Sequence, residues 1–295
     1  MKHCRSIVAR ATLSLALLLC ATLAPAQTSG DKPPAELAGI AHVALRVHDL
    51  DASRAFYEKL GFTSPFNLTH DGAVSEIFIK ISDHQFLELY PVTAKDAQPA
   101  FLHVCFEAAD LEALHKHYVA EGLTPTAVRK AGAGNLLFTL AGPMQIGEAQ
   151  NIEYTQYLPG SLHSNNFGKD LGPDRVGNEL FSVTLAMQDT GMAHDFYAQK
   201  LGFLSENTVN PFILTLPGKS GQQIEIVPVS FGHKARITFQ TANLAKSQKR
   251  LKQQKIPNKK TSNNTLTLAD PDGNIIVVQQ PEGPDLLDPL TKFFP

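Results

Sequence analysis

The chain has little cysteine, no long apolar stretch beyond its first residues and almost no net charge. Its 28 acidic and 26 basic residues leave a formal charge of -2 over 295 residues. That excludes a global basic field, and with it nucleic acid as an expected partner. No long polar tract suggests extended disorder. The apolar run LSLALLLCATLA is too short for a good membrane anchor. It follows Lys2, Arg5 and Arg10 and precedes small residues at Ala24 and Ala26. That order is the pattern of a secretory signal over residues 1–26, with cleavage expected after Ala26. The mature protein is then expected to be periplasmic or secreted, without stable membrane insertion. Of the 3 cysteines, Cys4 and Cys20 leave with the signal. Cys105 remains alone, which excludes an internal disulfide even in a compartment that permits one.

What the chain does have is repetition, and repetition decides a fold before any single residue does. IAHVALRVHDLDASRAFYEKLGF reads as a strand, a polar hinge and a helix, and FLHVCFEAADLEALHKHYVAEGL repeats that plan. LFSVTLAMQDTGMAHDFYAQKLGF matches the first copy closely, with Asp49 and Asp189 at the hinges, and RITFQTANLAKSQKRLKQQKI closes the series. Alternating runs such as SEIFIKIS, QFLELYPV, NIEYTQY and NIIVVQQ follow, as half-buried strands do. In the first helix Ala52, Phe56 and Leu60 form a stripe predicted to pack on a sheet. Gly61 and Gly202 suit the left-handed position after a helix end. The basic run KSQKRLKQQK reads as a solvated helix face. PGSLHSNNFGKDLGPDRVG, rich in Gly, Pro, Ser and Asn, reads as a domain boundary. The expected division is a signal at 1–26, a first domain at 37–158, a linker at 159–176, a second domain at 177–283 and a tail at 284–295.

This plan resembles the vicinal oxygen chelate superfamily, which includes glyoxalase I, extradiol dioxygenases and bleomycin-resistance proteins. The opening strand, the DL(D/E) hinge and the FY and LGF helix end carry the resemblance, which runs from residue 38 to 282. It implies an α+β fold of four βαβββ modules, paired into two glyoxalase-like, cup-shaped domains. In metal-binding members the ligands come from the first and last strands of paired modules. Carried over, these are His42 and Glu88 from module one, and His103 and Glu153 from module two. Two imidazoles and two carboxylates suit one divalent ion, Zn, Ni, Co, Fe or Mn. Without a cation, four such groups on one cup floor would repel or stay unsatisfied. The corresponding positions of modules three and four are Ser182, Glu225, Arg236 and Val277, so that half is expected to lack a metal. Contiguous pairing of modules leaves no ligand orphaned; crosswise pairing stays open. Period-two geometry sets Ala44 and Arg46 beside His42, Tyr90 beside Glu88, Cys105 and Glu107 beside His103, and Thr155 and Tyr157 beside Glu153. Arg46, Tyr90, Cys105 and Tyr157 are the candidate contacts to a small-molecule substrate. Arg46 either receives an anionic group or reaches solvent or Glu107, and Cys105 is a buried filler before it is a reactive thiol.

The His, Glu, His, Glu order is similar to glyoxalase I. It implies lyase or isomerase chemistry through a metal-stabilised enediolate, with Glu153 the base and Glu88 its symmetry mate. Export and the fused second half both depart from the small glutathione-dependent enzyme. One alternative is an extradiol dioxygenase with Fe(II) on His42, His103 and Glu153, although Glu88 would crowd its site and that family usually places the active metal in the second domain. A non-catalytic binding protein of the bleomycin-resistance type is the other. A monomer or a homodimer fits the sequence equally.

Overall fold

The computed structural model describes residues 36–231 and 234–281. The expected signal segment and the 284–295 tail lie outside them. Four modules follow one plan. The first is β1 (Leu37–Val47), α1 (Leu50–Lys59), β2 (Thr63–His70), β3 (Ala73–Lys80) and β4 (Phe86–Pro91). The second is β5 (Ala100–Ala108), α2 (Leu111–Ala120), β6 (Arg129–Lys130), β7 (Leu136–Met144) and β8 (Ala149–Gln156). The third is β9 (Glu179–Met187), α3 (Thr190–Asp195), β10 (Leu204–Ser205), β11 (Phe212–Thr215) and β12 (Gln223–Pro228). The fourth is β13 (Arg236–Gln240), α4 (Leu244–Gln253), β14 (Lys259–Ser262), β15 (Thr265–Ala269) and β16 (Ile275–Gln279).

The hinge residues start the helices. Asp49, Asp110, Asp189 and Asn243 each sit in extended backbone and accept amide protons of the first turn, satisfying donors a helix otherwise leaves free. Gly61 follows α1, and Gly202 follows the π-helical turn that continues α3, at φ 94° and 75°, the left-handed backbone expected of both. The buried stripe of α1 is shifted from the predicted one. Ser53, Tyr57 and Leu60 face inward, while Ala52 is exposed and Phe56 only half-buried. The reason is the Tyr57 hydroxyl, which crosses to Asp270 Oδ2 at 3.0 Å and turns the helix toward it. Between FY and LGF the third module carries one residue more than the first, FYAQKLGF against FYEKLGF. The extra residue is absorbed as a π-helical turn at Phe196–Lys200, which keeps both ends of the motif in register.

Modules one and two form one eight-stranded sheet in the order β2-β3-β4-β1-β5-β8-β7-β6; modules three and four form a second with the same order. Pairing is therefore contiguous. In each sheet the modules meet through an antiparallel pair of first strands, β1 with β5 and β9 with β13. One face of each sheet and its helices enter a common core that includes Val43, Leu45, Val104, Val183, Leu185 and Ile237. Matched glutamines join the halves. Gln85 grips the backbone N–H and C=O of Leu180, both at 2.8 Å, and Gln222 accepts the Ile40 amide at 2.6 Å. A Cβ at Gly39 would stand 2.7 Å from Gln222 Oε1, so this close approach needs glycine. No helix among the described residues is long and apolar enough to cross a membrane.

Candidate metal centre

β4, β1, β5 and β8 are neighbours at the centre of the first sheet. Val43, Leu87, Leu89, Val104, Ile152 and Tyr154 point to the helical side and are fully buried there. Alternation then turns His42, Glu88, His103 and Glu153 to the opposite face. His42 pairs with Cys105 and Ala44 with His103 across β1 and β5. The small side chains of Ala44 and Cys105 leave room for the two rings to meet.

His42, His103 and Glu153 converge. Each offers one ligand atom, and these atoms lie within 4.8 Å of one another, all in buried side chains. The two Nε2 atoms are 3.0 Å apart, and Glu153 reaches His42 Nε2 at 3.4 Å and His103 Nε2 at 4.0 Å. Bonds of about 2.1 Å to a first-row ion set neighbouring ligand atoms roughly 3.0–3.4 Å apart. The donor set therefore fits a single divalent metal. Burial keeps both rings neutral, as ligands must be: it lowers the pKa of His103 to about 4, and that of His42 well below its usual value with help from His103 and His163. Burial pushes Glu153 up to about 7, against the opposing hydrogen bond from Cys105. Among the described residues no other cluster of this kind occurs.

Glu88 stands apart from this triad. Its Oε1 lies 3.1 Å from Nδ1 of His42, on the far side of the ring, in poor alignment for a hydrogen bond. Its Oε2 meets the Tyr90 hydroxyl at 3.1 Å, and that hydroxyl is 2.7 Å from Oε1 of Glu76. Burial raises the pKa of Glu88 well above the usual carboxylate range, and repulsion from Glu76 and Glu153 adds to it. Glu76 is raised by burial as well. The Tyr90 hydroxyl thus stands between two buried carboxyls, and burial favours the protonated form of each.

A cavity of about 180 Å³ opens beside these groups, lined among others by Glu76, Glu88, Tyr90, Glu153, Arg129 and His163. Phe78 and Ala133 line one side of it, with Phe66 and Phe86 packed behind them. His163 is the unexpected member. Its ring stacks on Tyr157 at 4.4 Å and lies edge-on to Phe66, Phe78 and Phe86. It is 1 % exposed, and neither ring nitrogen has a partner among the described residues. An imidazole left this way costs about 1–3 kcal/mol. Lys80 holds it in place. That fully buried ammonium donates to the carbonyls of Asn166 and Lys169 and pairs with Asp83 at 2.9 Å, pinning the segment after β8 across the cup.

Of the expected substrate contacts, Tyr90 lines the cavity and Tyr157 backs it through His163. Cys105 is fully buried, and burial holds its thiol protonated against Glu153. Arg46 does not line the cavity. It donates to the Gln98 carbonyl at 2.9 Å and pairs with Asp96 at 3.4 Å, because the chain between β4 and β5 folds back over the end of β1. Sequence reasoning missed Glu76, Arg129 and His163. Glu76 broke no pattern, since polar residues alternate in SEIFIKIS anyway, and His163 sat in a stretch read as a boundary.

Residues 39–144 match the model of the Glyoxalase/Bleomycin resistance protein/Dioxygenase superfamily. That span runs from β1 to the end of β7, and all four modules repeat its βαβββ plan in two sheets of the same strand order. No curated protein is similar enough in sequence to count as a relative. Among solved structures, the Mn(II)-bound glyoxalase from Novosphingobium aromaticivorans is 18% identical, with a TM-score of 0.63 over 83% of this chain and 82% of that one. The 2,3-dioxygenase LapB from Pseudomonas sp. KL28 is 14% identical, with a TM-score of 0.64 over 85% and 94%. An extradiol ring-cleaving dioxygenase from B. fuscum is 18% identical, with a TM-score of 0.60 over 85% and 74%. At these identities the likeness shows the fold alone.

Proposed function

We propose that the chain is a metal-dependent enzyme acting on a small molecule with vicinal oxygens, and that its chemistry is of the extradiol, ring-cleaving type. The observation that carries this is the ligand count: two imidazoles and one carboxylate converge, and Glu88 is turned away to Tyr90 and Glu76. Two histidines and a carboxylate with open positions suit Fe(II), or Mn(II) in its place. Such an ion would bind two substrate oxygens as a Lewis acid and exchange electrons with dioxygen. The chain's own residues do the rest. The phenylalanine wall sheathes one ring, and a cavity well below the roughly 300–1,000 Å³ of drug-sized sites admits little more. His163, neutral and unpartnered, hydrogen-bonds a substrate hydroxyl. The Tyr90, Glu76 and Glu88 chain holds the proton a diol releases, and exposed Arg129 at the rim receives a negative substituent. The chain functions after export, as Lys2, Arg5, Arg10 and Ala26 suggest; N-terminal sequencing of the mature protein tests that part.

A second reading, glyoxalase-like lyase or isomerase chemistry, is favoured by one feature. Glu88 stands 3.1 Å from His42 with a raised pKa, as a carboxyl that carries protons would. One experiment separates the two. Tag-free mature protein is loaded anaerobically with Fe(II), Mn(II), Zn(II) or Ni(II), then given catechols or 2-hydroxycarbonyl compounds. Oxygen uptake with ring-opened absorbance, lost in His103→Ala, supports the extradiol reading. Deuterium exchange next to a carbonyl without oxygen uptake supports the second, and neither activity with any metal sinks both.

A further inference from the structure

The second sheet keeps a concave face but not the ligands. Where the first carries His103 and Glu153, strand equivalence gives Arg236 and Val277, and Val277 is buried. This face is not filled by packing. A cleft of about 480 Å³ lies on it, lined by Thr184, Ala186, Val227 and Arg236 from the second sheet and closed by Phe101 and Ile146 from the first half. That volume falls within the roughly 300–1,000 Å³ usual for small-molecule sites. Its apolar surface is left open to solvent, with Ile146 and Ile275 exposed by 39% and 38%.

The charges in the cleft lean one way. Lys234 and Arg236 line it against a single carboxylate, Glu148, which is exposed. Lys234 donates to the Asp272 carbonyl at 2.6 Å, its one hydrogen bond among the described residues, and an ammonium carries three donors. Arg236 meets Glu225 only at 4.0 Å, beyond hydrogen-bond reach, because Glu225 Oε2 already takes the Thr184 hydroxyl at 2.5 Å. Among the described residues the guanidinium fork has no acceptor within hydrogen-bond reach, and a planar oxyanion is the group it matches. We propose that this cleft is a second, metal-free binding site for an organic anion, an apolar ring-sized body with one carboxylate or sulfonate seated on Arg236. The inference stands independently of the chemistry proposed for the first cup.

Anilinonaphthalene sulfonate is the probe, titrated by fluorescence and calorimetry into the full mature chain. One molecule should bind per chain. Arg236→Gln should weaken it about tenfold or more, as loss of one charge-assisted contact does. Ala186→Phe should abolish binding by filling the cleft. Phenylbutyrate should displace the probe, and neutral phenylbutyramide should not. Thermal unfolding and divalent-metal content should match the parent in both variants; if Ala186→Phe fails to fold, Arg236→Gln and the amide decide alone. Parental binding in Arg236→Gln, or equal displacement by the amide, overturns the proposal. So does probe binding that is lost in His163→Phe, since the probe would then sit in the first cup.

Discussion

Replacing His163 by phenylalanine should stabilise the protein while it impairs the site. The ring sits among Tyr157, Phe66, Phe78 and Phe86 with two unpaired nitrogens, and burial holds its pKa at about 3. Phenylalanine fills nearly the same volume and needs no partners. At neutral pH the variant should therefore gain stability, by about 1–2 kcal/mol from the unsatisfied nitrogens. The pH dependence is sharper. The folded pKa lies below the unfolded value of about 6.5, so between them the unfolded chain binds the extra proton and stability falls as pH falls. At about pH 4.5 the difference is near two pH units, or about 2.5–3 kcal/mol. His42 and His103 are also depressed by burial; His103 cancels in the comparison, whereas His42 loses the depressing influence of His163 in the variant, which adds to its lead on acidification. Urea unfolding at about pH 7.5 and 4.5, with unchanged slope, reads both terms. The variant should lead by a margin that widens on acidification, while its turnover drops. Parallel stability curves, or a variant weaker at neutral pH, would refute the view of His163 as a strained, neutral ring kept for its ligand.

Three further outcomes test other parts. His103→Ala should weaken divalent-metal binding by about 100-fold or more, and the parent alone should gain about 2.7 kcal/mol of stability at a metal concentration 100 times its Kd; equal metal content in both proteins by mass spectrometry would remove the triad. Gln85→Ala strands the buried N–H and C=O of Leu180, so it should cost roughly 2–4 kcal/mol in urea unfolding, and a cost under about 0.5 kcal/mol would show that the halves do not rely on that clasp. Lys80→Met removes the ammonium that pins Asn166 and Lys169; it should cost about 3 kcal/mol or more and expose the segment around His163 to proteolysis, and an unchanged cleavage pattern would speak against that anchor.

The fold was largely legible because it is periodic. Hinge aspartates, helix-end glycines and alternating strands are local signals, and four copies of each check one another. The phase of α1 was not legible, since the Tyr57 hydroxyl is drawn to Asp270, more than two hundred residues away. The triad was readable only through the family resemblance, which puts ligands on the first and last strands of each module and so named His42, Glu88, His103 and Glu153 together. Whether Glu88 joins it depends on where Tyr90 and Glu76 draw its carboxyl, and strand pattern carries no such information. His163 was illegible for a related reason. Gly, Ser and Asn around it signal irregular backbone truthfully, yet an irregular segment can be as firmly placed as a strand when a buried lysine holds its carbonyls.

The two halves show how one scaffold supports different degrees of commitment. Equivalent strands give both sheets a concave face, and equivalent glutamines bind each half to the other, so the framework is nearly symmetric. The differences sit on the faces that carry no core. In the first, buried carboxylates and an orphaned imidazole remain beside a small cavity, groups that destabilise a fold unless a ligand answers them. In the second, Val227 and a loosely paired Arg236 border a larger cleft. Stored electrostatic cost is the feature on which the chemistry proposed for the first face rests. The second, with Ile146 and Ile275 exposed, suits the binding without chemistry proposed for it.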